Sequence, residues 1–138
     1  MKAPIVQQYM TRLPLEIERV DNVANARRLM DLFGIRHVPV MQGLHLKGVV
    51  SQRDILDATI RYGKNIDDVP IEEIYQHDVL TVSPLTPIDQ VAEQMLQRGV
   101  GSAMVVDANV VVGIFTSTDA LRLLTEVFGQ SRRKSKSQ

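Results

Sequence analysis

Gly48-Val49-Val50-Ser51-Gln52-Arg53-Asp54 and Gly113-Ile114-Phe115-Thr116-Ser117-Thr118-Asp119 are one pattern written twice, 65 residues apart. Each runs from a glycine through apolar residues to a hydroxyl residue, with an acid three positions further on. That is the pattern of a strand ending in a capped helix start. The register holds without a gap from about Val6 to Leu56 and from Ile71 to Leu121. Leu15 falls on Leu80, Met30 on Met95, Gly34 on Gly99 and Val40 on Val105, and Val23 with Ile88 is a conservative pair. Two copies of about 50 residues are too few for a solenoid. A pseudo-twofold pair sharing one core is expected, with an α/β fold of two β-α-β-β-α repeats.

Within each copy the signals come in a fixed order. Leu80-Thr81-Val82 reads as a brief strand, after which Thr86 is the expected N-cap, Pro87 the first helical residue and Asp89 the first-turn acid. Ile88, Val91, Ala92 and Met95 form its apolar stripe, matched by Val23, Ala26, Met30 and Phe33 in the first copy, and Gly99 ends the helix. Ala103 to Val106 and Val110 to Phe115 are apolar runs around the turn residues Asp107-Ala108-Asn109. The last helix of each copy is expected to bury Ile55, Leu56 and Ile60, or Leu121, Leu124 and Val127. The resulting division is 1-68 for the first repeat, 69-128 for the second and 129-138 for a disordered basic tail.

Composition excludes several classes of function. The chain has 138 residues, 44% of them apolar, and no cysteine, so disulfides, thiolate metal sites and cysteine nucleophiles are out. No apolar run approaches the roughly 18 to 20 residues of a membrane span, and the amino terminus carries no apolar signal core, so a cytoplasmic protein is expected. The formal charge is zero, yet Arg132, Arg133, Lys134 and Lys136 lie at the end, leaving about four net negative charges on the rest. Such a body is a poor nucleic-acid binder. His37, His45 and His77 have no metal-ligand spacing, so no metal or cofactor is expected. Asp54 and Asp119 have no nucleophile or base beside them, so catalysis is not expected.

The repeated Ser/Thr-x-x-Asp ending has two physical readings. As a capping box it needs no ligand. Alternatively, the free N–H groups at a helix start attract an anion, and a carboxylate one turn on accepts hydrogen bonds from a ribose diol. The repeat with these endings, Met10-Thr11 near its start and the entry Arg36-His37-Val38-Pro39-Val40 resembles a tandem pair of cystathionine β-synthase (CBS) domains, a Bateman module, over about residues 5 to 128.

The resemblance implies a regulatory module, without catalysis, that binds an adenosine-containing ligand such as AMP, ADP, ATP or S-adenosylmethionine in clefts between the repeats. It further implies a homodimer serving an effector protein that the sequence does not name. Carried over residue by residue, Thr116, Ser117, Thr118 and Asp119 would face Leu15, Ile35, Arg36, His37 and Val38. Ser51 and Asp54, with Arg53, would face Leu80, Val100, Gly101, Ser102 and Ala103. The first set is preferred because it contains Arg36 and the fuller hydroxyl run, whereas the second has Ser51 for Thr and Met104 where the first copy has Pro39. The alternative is a ligand-free module for dimerisation or partner docking.

Overall fold

The computed structural model describes residues 3–136. In chain order the elements are β1 (Thr11–Arg12), β2 (Ile17–Glu18), α1 (Val23–Phe33), β3 (His37–Gln42), β4 (His45–Ser51), α2 (Gln52–Tyr62), β5 (Leu80–Val82), α3 (Ile88–Arg98), β6 (Ser102–Asp107), β7 (Val110–Thr116) and α4 (Ser117–Lys136). From β2 to α2 and from β5 to α4 this is the expected β-α-β-β-α order. One sheet has the order β2-β3-β4 and the other β1-β7-β6-β5. In both, the short first strand of the repeat runs parallel to the strand after the helix.

Local chemistry sets the helix ends. The Asn22 side chain accepts the Asn25 N–H at the start of α1, and Gly34 and Gly99 close α1 and α3 in the left-handed conformation that other residues adopt at a cost. The expected Thr86 cap is not formed: α3 starts at Ile88 with Pro87 in the cap position, because Pro87 holds extended backbone there. The Thr86 hydroxyl instead lies 3.4 Å from that of Ser83.

The chain divides into two compact units, and they are not the linear repeats 1-68 and 69-128. One is Leu13–Val79 with Ala108–Val111; the other takes the residues up to Arg12, then Leu80–Asp107 and those from Val112 onward. The segment ahead of each repeat is therefore built into the other copy. In one unit the Val6 N–H donates to Thr86 O (2.8 Å), the Ile88 N–H donates to Pro4 O (2.8 Å), and β1 pairs antiparallel with β7. In the other, the Ile71 N–H donates to Asp21 O (2.7 Å), the Val23 N–H donates to Val69 O (3.0 Å), and Gln76 pairs with Val49. Each of these bonds is its counterpart moved by 65 positions. Val6 and Ile71 are fully buried, and hydrophobic burial is what fixes each segment in place.

Each unit has its own core. Val23, Ala26, Met30, Val38, Val40, Val50, Ile55 and Ala58 fill one, with Ile71 and Tyr75 from the crossing segment. Leu80, Ile88, Val91, Met95, Ala103, Val105 and Phe115 fill the other, with Val6. Several residues expected inside are exposed: Phe33 on α1, Leu56 and Ile60 on α2, and Leu121, Leu124 and Val127 on α4. On α2 the inward face is Ile55 and Ala58, a rotation that carries Leu56 and Ile60 outward. Residues 129–136, expected as a disordered tail, continue α4 through Lys136.

Candidate functional site

The two Ser/Thr-x-x-Asp motifs fold as capping boxes. At α2 the Asp54 N–H donates to Ser51 Oγ (3.0 Å) while the Ser51 N–H donates to Asp54 Oδ2 (2.8 Å). At α4 the Asp119 N–H donates to Thr116 Oγ1 (3.2 Å) and the Thr116 N–H to Asp119 Oδ2 (2.9 Å). Both carboxylates also take a donor from the crossing segment of their own unit. Thr11 Oγ1 donates to Asp119 Oδ1 (3.1 Å), and Gln76 Nε2 donates to Asp54 Oδ1 (3.2 Å). Thr11 and Gln76 stand 65 apart, so the repeat register would have located Gln76 once Thr11 had been noticed.

The carboxylates differ in how fully they are engaged. A carboxylate offers about four acceptor positions. Asp119 is 3% exposed, and its Oδ2 also accepts the Thr116 hydroxyl (3.0 Å) while its Oδ1 also accepts Arg122 (3.1 Å). All four positions are used. Asp54, half-buried, accepts the Ser51 N–H and the Gln76 amide, which leaves room for two more donors. Asp54 thus keeps acceptor capacity that Asp119, in the set preferred from sequence, has already committed.

The remaining site residues are placed as follows. In the unit with Asp54, Leu15 and Ile35 lie half-buried against the core, Arg36 is exposed with its carbonyl accepting the Gln52 N–H (2.9 Å), and His37 pairs with Ser51 across β3 and β4. Val38 is buried opposite Val50, and Arg53 is exposed. In the unit with Asp119, Leu80 and Ala103 are buried partners on β5 and β6, Val100 packs against the core, and Ser102 is half-buried. The Gly101 carbonyl accepts the Ser117 N–H (3.0 Å), and Thr118 is exposed. Within each unit, then, the strand entry and the helix start of the same repeat are joined by one backbone hydrogen bond.

Both motif glycines have a packing role. A Cβ on Gly48 would collide with the Gln76 carbonyl and lie 2.6 Å from the Tyr75 ring. One on Gly113 would lie 2.6 Å from the Met10 sulfur and 2.8 Å from the Thr11 carbonyl. The crossing segments pass directly over these positions. Among the described residues no three His, Asp or Glu side chains gather as a metal site, and no helix is long and apolar enough to cross a membrane.

Known proteins repeat this architecture. The family model described as "CBS domain" matches residues 6–61 and again 71–126. An L-aspartate semialdehyde sulfurtransferase of Methanocaldococcus jannaschii is 31% identical over 89% of the chain, and an A-adding tRNA nucleotidyltransferase of Geobacter sulfurreducens is 25% identical over 90%. The chain spans only 24% and 13% of the lengths of these two enzymes. Among solved structures, the CBS domain pair of protein MJ0100, in complex with 5′-methylthioadenosine and S-adenosyl-L-methionine, is 27% identical with a TM-score of 0.76, over 90% of this chain and 98% of that one. A conserved protein from Pyrococcus horikoshii is 26% identical with a TM-score of 0.74, over 89% and 93%. With two family matches in tandem, in the register of its own internal repeat, the chain belongs to the CBS domain family as a CBS domain pair.

Proposed function

We propose that the protein is a regulatory module that binds an adenosine-containing ligand without turning it over and passes the signal to an effector protein in the cytoplasm. The observation that carries this reading is the unused acceptor capacity of Asp54, held by Ser51 and Gln76 at the start of α2 beside the exposed Arg53. A ribose diol supplies the two donors that such a carboxylate lacks. Ser51 and Thr116, the residues of the two helix starts, and the strand entries Arg36-His37 and Gly101-Ser102 are the positions assigned to the ligand. The likeness to a CBS pair whose solved structure carries methylthioadenosine and S-adenosylmethionine supports the ligand class. Calorimetric titration with AMP, ADP, ATP, S-adenosylmethionine and methylthioadenosine tests it. Heat of binding from at least one, with the ligand recovered unchanged, is expected; no heat across the set overturns the reading.

A homodimer is proposed alongside, on a separate observation. Leu56 and Ile60 on α2 and Leu121, Leu124 and Phe128 on α4 are large apolar side chains left exposed on helices whose other faces pack on the cores. Faces of this kind are covered in stable proteins by a partner surface. Light scattering at tens of micromolar should give about twice the 15.5 kDa chain mass.

A further inference from the structure

Among the described methionines, Met30, Met41, Met95 and Met104 are buried. Met10 alone is half-buried, and it lines an open cavity of about 610 Å³ with Pro4, Gln8 and Tyr9 of the crossing segment and Arg122 and Glu126 of α4. Its thioether lies on the bare backbone of Gly113: a Cβ there would stand 2.6 Å from the sulfur and 3.0 Å from Cγ. The next residue is Thr11, which pairs with Ile114 across β1 and β7 and gives its hydroxyl to Asp119 Oδ1 (3.1 Å). We infer that Met10 is an oxidant-sensitive modification site, whose conversion to the sulfoxide by a peroxide loosens β1 from β7 and withdraws the Thr11 donor from Asp119.

Oxidation of a thioether follows its exposure, because the sulfur must meet the oxidant. The lone pair of Met10 Sδ attacks one oxygen of hydrogen peroxide, the O–O bond breaks and an S–O bond forms. Sulfur loses two electrons to the peroxide, and the proton of the transferred oxygen goes to the departing hydroxide, which leaves as water. The product is polar where the thioether was apolar, and a polar group held against an apolar surface without a partner is costly. The core that Met10 packs against is apolar. The cavity instead offers water and the Arg122 guanidinium, which is 62% exposed and gives a single N–H to Asp119. The oxidised side chain therefore turns outward off Gly113 and carries Thr11, one residue on, with it. Strand β1 is only Thr11–Arg12, so few backbone bonds resist that pull. Reductases return the sulfoxide to the thioether, which makes the change reversible.

Peptide mass spectrometry on the full chain exposed to hydrogen peroxide tests the inference. Trypsin cuts after Lys2 and Arg12, so the peptide 3–12 carries Met10 as its one methionine. That peptide is expected to take up oxygen roughly tenfold or more faster than the peptides holding Met30, Met41, Met95 and Met104. In the oxidised protein, amide exchange should rise at residues 11–12 and 113–119 and stay unchanged across β3 and β4. Treatment with a methionine sulfoxide reductase should restore both the mass and the protection. Met10→Leu keeps an apolar side chain of similar volume and takes up no oxygen, so its exchange at these residues should not respond to peroxide. Oxidation of Met10 no faster than that of the buried methionines overturns the site. Oxidised Met10 with exchange unchanged, or an equal rise in Met10→Leu, overturns the loosening of β1.

Discussion

Asp119 and Asp54 occupy equivalent places in the repeat, yet four donors converge on one and two on the other. Removing Asp119 leaves the Thr116 N–H and Arg122 short of a charged acceptor in a nearly closed site, and hydrogen bonds to charged groups are worth about 1.5 to 3 kcal/mol. Asp119→Ala is therefore expected to destabilise the protein by roughly 2 to 3 kcal/mol, against about 1 kcal/mol for Asp54→Ala, which loses mainly a cap. Urea denaturation of the two variants measures this, and equal losses would show that the extra donors add nothing. Titration of the same variants separates capping from ligand binding, because Asp54→Ala should weaken an adenosine ligand by about tenfold if ribose donates to it. The glycines make a second comparison. Gly48→Ala and Gly113→Ala each drive a methyl group into the backbone of a crossing segment, and a loss beyond about 3 kcal/mol, or failure to fold, is expected. Gly34→Ala meets open space and pays only for its positive φ of 64°, about 1 kcal/mol.

At the scale of the element, the order of strands and helices was legible because the same signals occur twice in one register. Periodicity did less well at deciding which way α2 and α4 face. Helix α2 carries apolar residues at 55, 56, 58 and 60, enough for two overlapping stripes, and nothing in a single chain says which stripe meets the sheet. The structure selects Ile55 and Ala58. Ile55→Ala should accordingly cost about 2 to 4 kcal/mol in denaturant melts. Ile60→Asp, at a position 87% exposed, should stay within about 0.5 kcal/mol of wild type. Should these helices form the proposed dimer face, Ile60→Asp combined with Leu121→Asp would instead halve the mass seen by light scattering with little change in secondary structure. The capping motifs were legible as caps, and so was their resemblance to a nucleotide site. The donors from Thr11 and Gln76 were not, since side-chain bonding across 108 and 22 positions leaves no mark in local sequence.

Across the whole molecule, the crossing of the segments ahead of each repeat is what linear reading missed. A short segment carries no label saying which of two similar cores it will complete. Val6 precedes the first repeat and packs into the core of the second, while Ile71 packs into the core of the first. Val6→Ala should therefore raise amide hydrogen exchange in residues 80–123 and leave 17–62 protected, and Ile71→Ala should do the opposite. The reverse pattern would mean that the units follow the linear repeats. The crossing also bears on how the chain is made. The hydroxyl of Thr11 and its acceptor Asp119 are separated by 108 positions, and at about 5 to 20 residues per second a ribosome needs several seconds to deliver the second after the first. Leu13–Val79 has its own crossing segment in hand early in synthesis, and its unit waits only for Ala108–Val111. Val6 and strand β1 have no such partner in hand: an apolar side chain and an unpaired strand edge wait for residues still being translated, an interval open to chaperones, proteases and misassembly.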